Sequence, residues 1–377
     1  MFVNTPPMGW NTWNTFGHNI NEELVIKMVD MFVEKGFKDA GYEYVVIDDC
    51  WSEKERDEND RLVADHKNFP HGMKYIGDYI HSKGLKFGMY SCAGTRTCAN
   101  YPGSYEHEYI DAKTFAEWGV DLLKYDFCYF DGVDAKRAYL TMSMALRASG
   151  RDILFSACQW GVDDPGKWIR SVGAHMFRST GDINDTYESQ LDIITKQKYN
   201  FNCNAAGCFN DLDMLTVGMY GNGLVGRPNM MTFDEYEQQF AFWCFTGSPL
   251  MMGADLSKVD DECVKLMQNK ELIAINQDRE CRPAYLFCET DNLVGSMLKY
   301  VRQLENNEFA VAIFNLRDKE VNASVTFSQF GVPFVSGRNI DMKDVMTGEV
   351  FNSKHHEFQT VVKRHHFKIY RCKYSEV

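Results

Sequence analysis

One pattern recurs over about the first 280 residues: a short apolar segment ends in polar or aromatic residues, and a helix-like segment follows it. Eight apolar segments predict strands, at Met8–Trp13, Tyr42–Trp51, Lys86–Cys92, Asp121–Cys128, Ile153–Trp160, His175–Thr180, Phe209–Leu215 and Pro249–Leu256. Segments with the periodicity of one helical face lie between them, at Glu22–Lys35, Met73–Lys83, Ala135–Leu146, Glu188–Lys198 and Phe233–Phe245. This alternation predicts an α/β protein with a closed (β/α)8 TIM barrel. A doubly wound open sheet would need a glycine-rich phosphate turn after an early strand, and the sequence has none.

The pattern changes after Asn276-Gln277-Asp278, where alternating or β-branched segments replace the strand–helix pairs. Five further strands are predicted, at Leu293–Val301, Glu308–Phe314, Ala323–Phe327, Glu349–Phe351 and Val361–Tyr370. Turn signals such as Thr347-Gly348 favour an antiparallel β-sandwich. We therefore expect the barrel at residues 1–282 and a C-terminal antiparallel β-sandwich domain at residues 283–377. The two should pack rigidly, because no low-complexity linker separates them.

The composition argues against several classes of protein. The 377 residues carry a net charge of −13 and no long basic cluster, so no nucleic-acid partner is expected. No run of about 18 apolar residues occurs, so no association with a membrane is expected. The N-terminal segment lacks a basic stretch followed by an apolar one. We therefore expect a cytoplasmic protein if the chain is complete, or a secreted or periplasmic one if a signal peptide has been removed.

The 12 cysteines form no Cys-x-x-Cys pair and show no zinc-type spacing with histidine. The pairs His355-His356 and His365-His366 lie in strand-like sequence. We therefore expect no metal and no other cofactor. The sequence leaves the number of subunits open, and a homo-oligomer is compatible with it.

Chemistry in a barrel of this kind collects at the C-terminal ends of the strands. The residues predicted there are Trp13, Asp48, Asp49, Tyr90, Lys124, Asp126, Cys158, Gln159, Trp160, Arg178, Asp182 and Asp213. Each alone has an ordinary structural explanation; Lys124 and Asp126, for example, fit an ion pair. Together they indicate a carbohydrate site, because carboxylates hydrogen-bond hydroxyl groups and aromatic rings stack on the apolar faces of sugars.

Two carboxylates that flank a glycosidic bond are the minimum apparatus for its hydrolysis. Asp126 is the candidate nucleophile because Lys124, two residues earlier on a strand, shares its face and favours its ionised form. Asp182 follows Gly181 in a loop, and a flexible loop suits a group that acts as general acid and then as base. The alternative for Asp182 is to cap the next helix, a role for which Asp185 is the better candidate.

Five blocks in the same order resemble glycoside hydrolase family 27, the melibiase-type α-galactosidases and α-N-acetylgalactosaminidases. The blocks are Thr5–Trp13 (TPPMGWNTW), Tyr42–Trp51 (YEYVVIDDCW), Leu122–Asp126 (LLKYD), Asn210–Leu215 (NDLDML) and Ile275–Asp278 (INQD). The resemblance implies a barrel followed by a β domain. It further implies a retaining exo-glycosidase that hydrolyses terminal α-D-galactosides through a covalent galactosyl-enzyme intermediate.

The resemblance also implies a role for individual residues. Asp126 would be the nucleophile and Asp182 the acid/base. Asp48 and Asp49 would bind the 6- and 4-hydroxyls of galactose, and Lys124 the 3- and 4-hydroxyls.

Four further roles follow from the same resemblance. Arg178 and Asp213 would bind the side of the sugar that carries the 2- and 3-hydroxyls. Trp13 would pack on its apolar face, and Tyr90 would help to position the nucleophile. The resemblance does not explain Phe127, which stands where a small or polar residue is usual.

A disulfide between Cys98 and Cys128 is implied beside the nucleophile strand, with Cys98 among the residues at the sugar. The family's other bridges, from Cys50 and Cys158, are not expected, because the positions of their usual partners carry no cysteine.

Which sugar binds is the main choice left open. Family members that act on N-acetylgalactosamine have small residues in the loop that here reads Cys158-Gln159-Trp160. Trp160 should crowd an acetamide, and Asp48 should bond the hydroxymethyl group that β-L-arabinopyranosides lack. We therefore expect galactosides as substrates. The alternatives are an α-N-acetylgalactosaminidase, a β-L-arabinopyranosidase, a transglycosylase or a non-catalytic sugar-binding barrel.

Overall fold

The computed structural model describes residues 3–130, 132–199, 203–292, 295–333, 337–353 and 356–376. The strands of the first part are β1 Met8–Asn11, β2 Tyr44–Val46, β3 Lys86–Cys92, β4 Leu122–Asp126, β5 Leu154–Cys158, β6 Met176–Arg178, β7 Phe209–Asp211 and β8 Leu250–Met252. The helices are α1 Trp13–Phe16, α2 Glu22–Glu34, α3 Gly72–Ser82, α4 Glu108–Glu117, α5 Ala135–Ala148, α6 Tyr187–Gln197, α7 Phe233–Thr246, α8 Asp261–Met267 and α9 Lys270–Asn276. The strands of the second part are β9 Tyr285–Asn292, β10 Gly295–Leu304, β11 Glu308–Asn315, β12 Val321–Thr326, β13 Arg338–Asp344, β14 Val350–Ser353, β15 Glu357–Val362 and β16 His366–Glu376.

Strands β1 to β8 form one parallel sheet in the order β7-β6-β5-β4-β3-β2-β1-β8. The sheet closes on itself just after β7. There the Leu215 N–H donates to the Met251 carbonyl at 2.8 Å, and the Leu215 carbonyl accepts from the Gly253 N–H at 2.9 Å. The predicted (β/α)8 barrel is confirmed.

All eight predicted barrel strands are present, but most end earlier than predicted. The second ends at Val46 rather than at Trp51, although Cys50 and Trp51 are both buried. The carboxylates of Asp48 and Asp49 accept the N–H of the next residue at 3.0 and 2.7 Å, and Cys50 has a φ of 74°. The apolar run therefore continues into a turn, and that turn places two carboxylates at the strand end.

The five predicted helices agree with the structure to within two residues at each end. The sequence does not predict α4, because its buried side mixes the charged Glu108 and Asp111 with apolar residues and so gives no clear apolar stripe. Asp111 is fully buried there, and Arg56 from a distant loop donates to both carboxylate oxygens at 2.7 and 2.8 Å. The short α1, α8 and α9 offer too few residues for a periodic signal. Within the described ranges, no helix is both long and apolar enough to cross a membrane.

The C-terminal strands form a six-stranded antiparallel sheet, β14-β13-β16-β11-β10-β9, and a two-stranded sheet, β12-β15, with apolar side chains packed between them. This confirms the β-sandwich. The prediction misses β9 and β13 and wrongly makes Val361–Tyr370 one strand. In the structure β15 ends at Val362, His365 has a φ of 47°, and β16 begins at His366. Leu293, the predicted start of another strand, lies outside the described residues.

Helix α7 joins the two parts of the chain into one apolar core. Phe242 and Phe245 of α7 pack against Phe314 of β11, with ring centroids 5.0 and 6.2 Å apart. The buried guanidinium of Arg302 donates to the carbonyls of Cys244 and Phe245 at 3.2 and 3.0 Å, and so satisfies acceptors at the end of the helix. We propose a domain boundary after residue 282, between the end of α9 and the start of β9.

The histidines at the start of β16 contact two carboxylates of the barrel helix α7 and one carboxylate of the sandwich. His365 Nδ1 lies 2.7 Å from Glu235, and its Nε2 lies 3.0 Å from Asp318. His366 Nε2 lies 2.9 Å from Glu237. His365 and His366 therefore act as contacts at the domain interface. His355 lies outside the described residues.

Candidate active site

The C-terminal ends of the barrel strands open into a cavity of about 300 Å³. Eleven of the thirteen predicted site residues line it: Trp13, Asp48, Asp49, Tyr90, Cys98, Lys124, Asp126, Trp160, Arg178, Asp182 and Asp213. Strands β1 to β7, or the turns that follow them, supply all eleven. This is where the fold places its chemistry, and the volume suits one small-molecule ligand.

One corner of the cavity combines two carboxylates with an ammonium group. Lys124 Nζ lies 2.8 Å from Asp48 Oδ2, which also accepts from the Asn11 amide at 2.7 Å. Asp49 accepts from the Ala99 N–H at 2.9 Å, although burial still raises the pKa of Asp49. Burial disfavours the charged ammonium, but Asp48 and the other acidic neighbours, Cys158 and Asp126, together outweigh it and raise the pKa of Lys124. The corner therefore presents fixed acceptors and one strong donor to hydroxyl groups.

Asp126, the last residue of β4, also lines the cavity. Burial raises the pKa of Asp126 to about 7, while the charge of Lys124 and a 3.0 Å hydrogen bond from the Phe127 N–H act in the opposite direction. The sequence argument from Lys124 alone therefore underestimates burial. A carboxyl group that titrates near neutral pH inside a cavity is typical of catalytic sites.

Phe127 packs behind the strand that carries Asp126. Its ring stacks on Phe130 with centroids 4.2 Å apart and packs against Tyr139 at 5.9 Å. Phe127 is buried and does not line the cavity. Its size is thus explained by the aromatic cluster under the loop after β4.

Arg178 connects two further carboxylates. Its Nη2 atom lies 2.9 Å from Asp213 and 3.1 Å from Asp182. Asp213 is buried and also accepts the Ile183 N–H at 2.8 Å, whereas 69% of the Asp182 side chain is exposed. Asp213 is therefore fixed, while Asp182 is open to solvent and to a group leaving the cavity.

The helix after Asp182 begins differently from the prediction. The N-cap of α6 is Thr186, whose hydroxyl accepts the Ser189 N–H at 3.2 Å. The expected cap at Asp185 is wrong: this carboxylate accepts hydrogen bonds from Gly221 and Tyr236 instead. Asp182 does not cap the helix either.

Aromatic side chains form the walls of the cavity. Trp13 and Trp160 line it, and so does Tyr90, whose hydroxyl has no hydrogen-bond partner among the described residues. Trp160 has a φ of 56° and is followed by Gly161. A Cβ atom at Gly161 would lie 2.3 Å from the Ser179 carbonyl oxygen, so this turn requires glycine.

The cysteines near the cavity agree with the expectation. Cys98 and Cys128 form a disulfide, and Cys98 lines the cavity. Cys50 and Cys158 are buried free thiols.

Two predicted residues lie outside the cavity wall. Cys158 instead lines a smaller adjoining space, together with Lys124 and Arg178. Gln159 is buried, and neither polar atom of its amide has a hydrogen-bond partner in the described part of the chain. The structure therefore does not bring these two side chains to the main cavity.

Seven lining residues are not predicted from the sequence: Asn14, Ile183, Asn184, Met214, Leu224, Val225 and Arg227. Three of them, Leu224, Val225 and Arg227, come from residues 220–227, where Arg227 donates to the side chain of Asn184. This segment has neither a strand nor a helix pattern. Its one sequence signal is the glycine-rich run between Tyr220 and Arg227.

A barrel whose cavity combines buried carboxylates, cations and indole rings belongs to the class of carbohydrate-active enzymes. The α-galactosidase A family model matches residues 5–278, and the model of the α-galactosidase C-terminal β-sandwich domain matches residues 295–372. The chain belongs to glycoside hydrolase family 27, the melibiase family.

Individual relatives agree with this assignment. α-Galactosidase A of Cellvibrio japonicus is 42% identical over 325 residues, which cover 83% of this chain and 76% of the relative. The α-galactosidase of Cyamopsis tetragonoloba is 38% identical over 367 residues, 97% of this chain and 85% of the relative. Among solved structures, α-galactosidase I from Mortierella vinacea superposes with a TM-score of 0.91 at 33% identity, covering 98% of this chain and 97% of that one.

Proposed function

We propose that this chain is a retaining exo-α-galactosidase that hydrolyses terminal α-D-galactosides. The observation that carries the proposal is one cavity with two carboxyl groups in contrasting environments. Asp126 is buried and its pKa lies near 7, whereas Asp182 is largely exposed beside Arg178. One group suits attack inside the cavity, and the other suits proton exchange at its mouth.

In the first step the Asp126 carboxylate attacks the anomeric carbon of the galactoside. The bond from that carbon to the leaving-group oxygen breaks as the Asp126 ester forms, and Asp182 transfers its proton to the departing oxygen. The first product is the aglycone alcohol, and the galactosyl unit remains on Asp126.

In the second step a water molecule replaces the aglycone at the mouth of the cavity. The Asp182 carboxylate takes a proton from this water as its oxygen attacks the anomeric carbon, and the ester bond to Asp126 breaks. Two inversions at one carbon give α-galactose as the first sugar product, and both carboxyl groups return to their initial states.

The charged corner supports the recognition of galactose. Asp48 and Asp49 accept from the 6- and 4-hydroxyls, and Lys124 donates to the 3- and 4-hydroxyls. The existing hydrogen bonds hold all three side chains in place before substrate enters, so little conformational entropy is lost on binding.

The remaining wall supports the same choice of sugar. Arg178 and Asp213 bind the side that carries the 2- and 3-hydroxyls, and Trp13 packs on the apolar face. The indole of Trp160 lines the cavity and should crowd an acetamide at position 2. Asp48 gains a hydrogen bond only from a sugar with a hydroxymethyl group. This disfavours α-N-acetylgalactosaminides and β-L-arabinopyranosides.

A panel of nitrophenyl glycosides tests the proposal. We expect the highest kcat/KM for the α-galactoside, and a higher value for either of the other two sugars would reject the assignment. NMR of the first product should show the α-anomer. Product analysis at high galactoside concentration separates hydrolysis from transglycosylation. An Asp126→Ala variant with undiminished hydrolysis would exclude Asp126 as the nucleophile.

A further inference from the structure

The exposed Asp182 needs external support if it is to act as a general acid. Proton transfer requires its carboxyl group within hydrogen-bond reach of the leaving-group oxygen, and small displacements reduce the rate steeply. Its Arg178 contact fixes one oxygen, yet most of the side chain faces solvent. The position of Asp182 therefore depends on how residues 181–186 are anchored.

One anchor follows Asp182 directly. The Ile183 N–H donates to Asp213 Oδ2 at 2.8 Å, and Asp213 is itself paired with Arg178. This bond belongs to the cavity wall already described. Arg178 also donates to the carbonyls of Thr180 and Gly181, at 3.1 and 2.8 Å, so these contacts hold the chain on the N-terminal side of Asp182.

The second anchor is Asp185, which is fully buried and does not line the cavity. Its Oδ1 atom accepts from the Tyr236 hydroxyl at 2.8 Å, and its Oδ2 atom accepts from the Gly221 N–H at 2.6 Å. Its own N–H donates to the Val225 carbonyl at 3.0 Å. A buried carboxylate is unfavourable unless such donors surround it, and burial indeed raises the pKa of Asp185. The mechanism makes no use of this acid, and it does not cap α6.

Tyr236 extends the anchor to the rest of the barrel. It lies in the first turns of α7, and its hydroxyl also accepts the Tyr220 N–H at 2.8 Å. Asp185 and Tyr236 thus join three pieces of chain: the segment that carries Asp182, the segment that supplies Leu224 and Val225 to the cavity, and the helix α7.

We propose that Asp185, held by the Tyr236 hydroxyl, is the positioning residue of the acid/base segment. It acts through Asp182 and does not touch the substrate. The inference rests on the proposed function, and it adds a part to the machinery that the cavity lining does not contain. Loss of the Tyr236–Asp185 bond should displace Asp182 while leaving Asp126 and the sugar contacts in place.

The test compares leaving groups in a Tyr236→Phe variant. Methyl α-galactoside has a poor leaving group that needs a proton, whereas the dinitrophenolate of 2,4-dinitrophenyl α-galactoside departs without one. We expect kcat/KM to fall about 10- to 100-fold for the methyl glycoside and to stay within about twofold for the dinitrophenyl glycoside. For the latter substrate kcat and KM should fall together, because the second step still needs Asp182 as base.

The ratio of the two kcat/KM values does not depend on how much of the enzyme is correctly folded. A partly unfolded variant therefore still gives a decisive answer, and Asp185→Asn supplies a second variant with the same expectation. Tyr42→Phe is the matched control: it removes a buried hydroxyl that donates to the Met267 carbonyl at 2.7 Å, away from the site, and should leave the ratio unchanged. An equal fall for both substrates, or no fall for either, would overturn the inference. A wild-type enzyme inactive on both would instead reject the proposed function.

Discussion

The ammonium group of Lys124 is paired with Asp48, at 2.8 Å, and not with Asp126 two residues along the same strand. Lys124 still acts on Asp126 through its charge, but burial is the larger influence on that carboxyl group. Lys124 therefore acts on two carboxyl groups. It forms an ion pair with Asp48, and its charge partly offsets the rise that burial causes in the pKa of Asp126.

The first prediction concerns the pH dependence of turnover. Asp126 must be ionised to attack, and its pKa is about 7. For 2,4-dinitrophenyl α-galactoside, whose leaving group needs no proton from Asp182, kcat/KM should therefore rise with pH up to neutrality. In Lys124→Met the opposing charge is lost, and the acidic limb should move upward by about one pH unit or more. Profiles of kcat/KM from pH 4.5 to 8.5 measure both. Lys74→Met, which removes an exposed partner of Asp78, is the control without a shift.

The second prediction concerns how the free energy of unfolding changes with pH, and Asp126 determines the direction of that change. An unfolded chain releases the Asp126 proton near pH 4, whereas the folded chain keeps it until about pH 7. The folded state thus binds more protons in this interval, and the free energy of unfolding falls as pH rises through it. Above pH 7 the accumulated loss is on the order of 4 kcal/mol.

Asp126→Asn should therefore be inactive yet more stable. We expect hydrolysis to fall by about 10³-fold or more, and the Tm to exceed that of the wild type at pH 7.5. The difference should shrink toward zero below about pH 4, where both states of the wild type are protonated. Thermal melts across this range decide it, with the exposed Asp78→Asn as control. A Tm difference that does not vary with pH would contradict the linkage.

The third prediction concerns the disulfide between Cys98 and Cys128. The bridge closes a loop of about 30 residues and holds the segment whose Ala99 N–H binds Asp49. A Cys98→Ser/Cys128→Ser double variant should lose about 3 kcal/mol of stability. Its KM for galactosides should rise, because Asp49 loses a fixed donor. Chemical denaturation and steady-state kinetics measure the two effects.

Reductant provides the control for that experiment. Dithiothreitol should move the wild type toward the double variant and leave the double variant itself unaffected. An unchanged KM in the double variant would show that Asp49 keeps its position without the bridge.

The fourth prediction concerns the C-terminal sandwich. Truncation after residue 282 would expose Phe242 and Phe245 of α7 and leave carbonyls at its end without Arg302. We expect the truncated barrel to be insoluble or inactive. The full chain should unfold in one transition, with tryptophan fluorescence and far-UV circular dichroism coinciding. A soluble, active fragment of residues 1–282 would show that the barrel folds by itself.

Local sequence pattern was enough to predict the barrel and most of its cavity. The strands are short apolar runs with charged residues at their ends: Asp126 is the last residue of β4, and Asp48 and Asp49 lie in the turn after β2. The predicted strands extend past the observed ends because buried residues such as Cys50 continue the apolar run inside a turn. Periodicity reports burial, and it cannot separate a strand from a buried turn that follows it.

Other features depend on contacts between distant parts of the chain. Asp185 looks like a helix cap from its spacing, but its partners Gly221 and Tyr236 lie 36 and 51 residues away. Arg227 lines the cavity from a segment whose apolar residues show neither helical nor strand periodicity. The position of Gln159 beside Trp160 predicts a place at the cavity, yet its side chain is buried outside the cavity wall.

The packing of α7 has a consequence for protein engineering. One side of this helix touches the sandwich through Phe242, and the next residue, Trp243, donates its indole N–H to the Asp213 carbonyl at 2.8 Å. The sandwich is thus one helix away from a residue of the sugar site. It is not an interchangeable module: a chimaera with a foreign C-terminal domain should keep its affinity for galactose only if α7 and its aromatic partners are transplanted together.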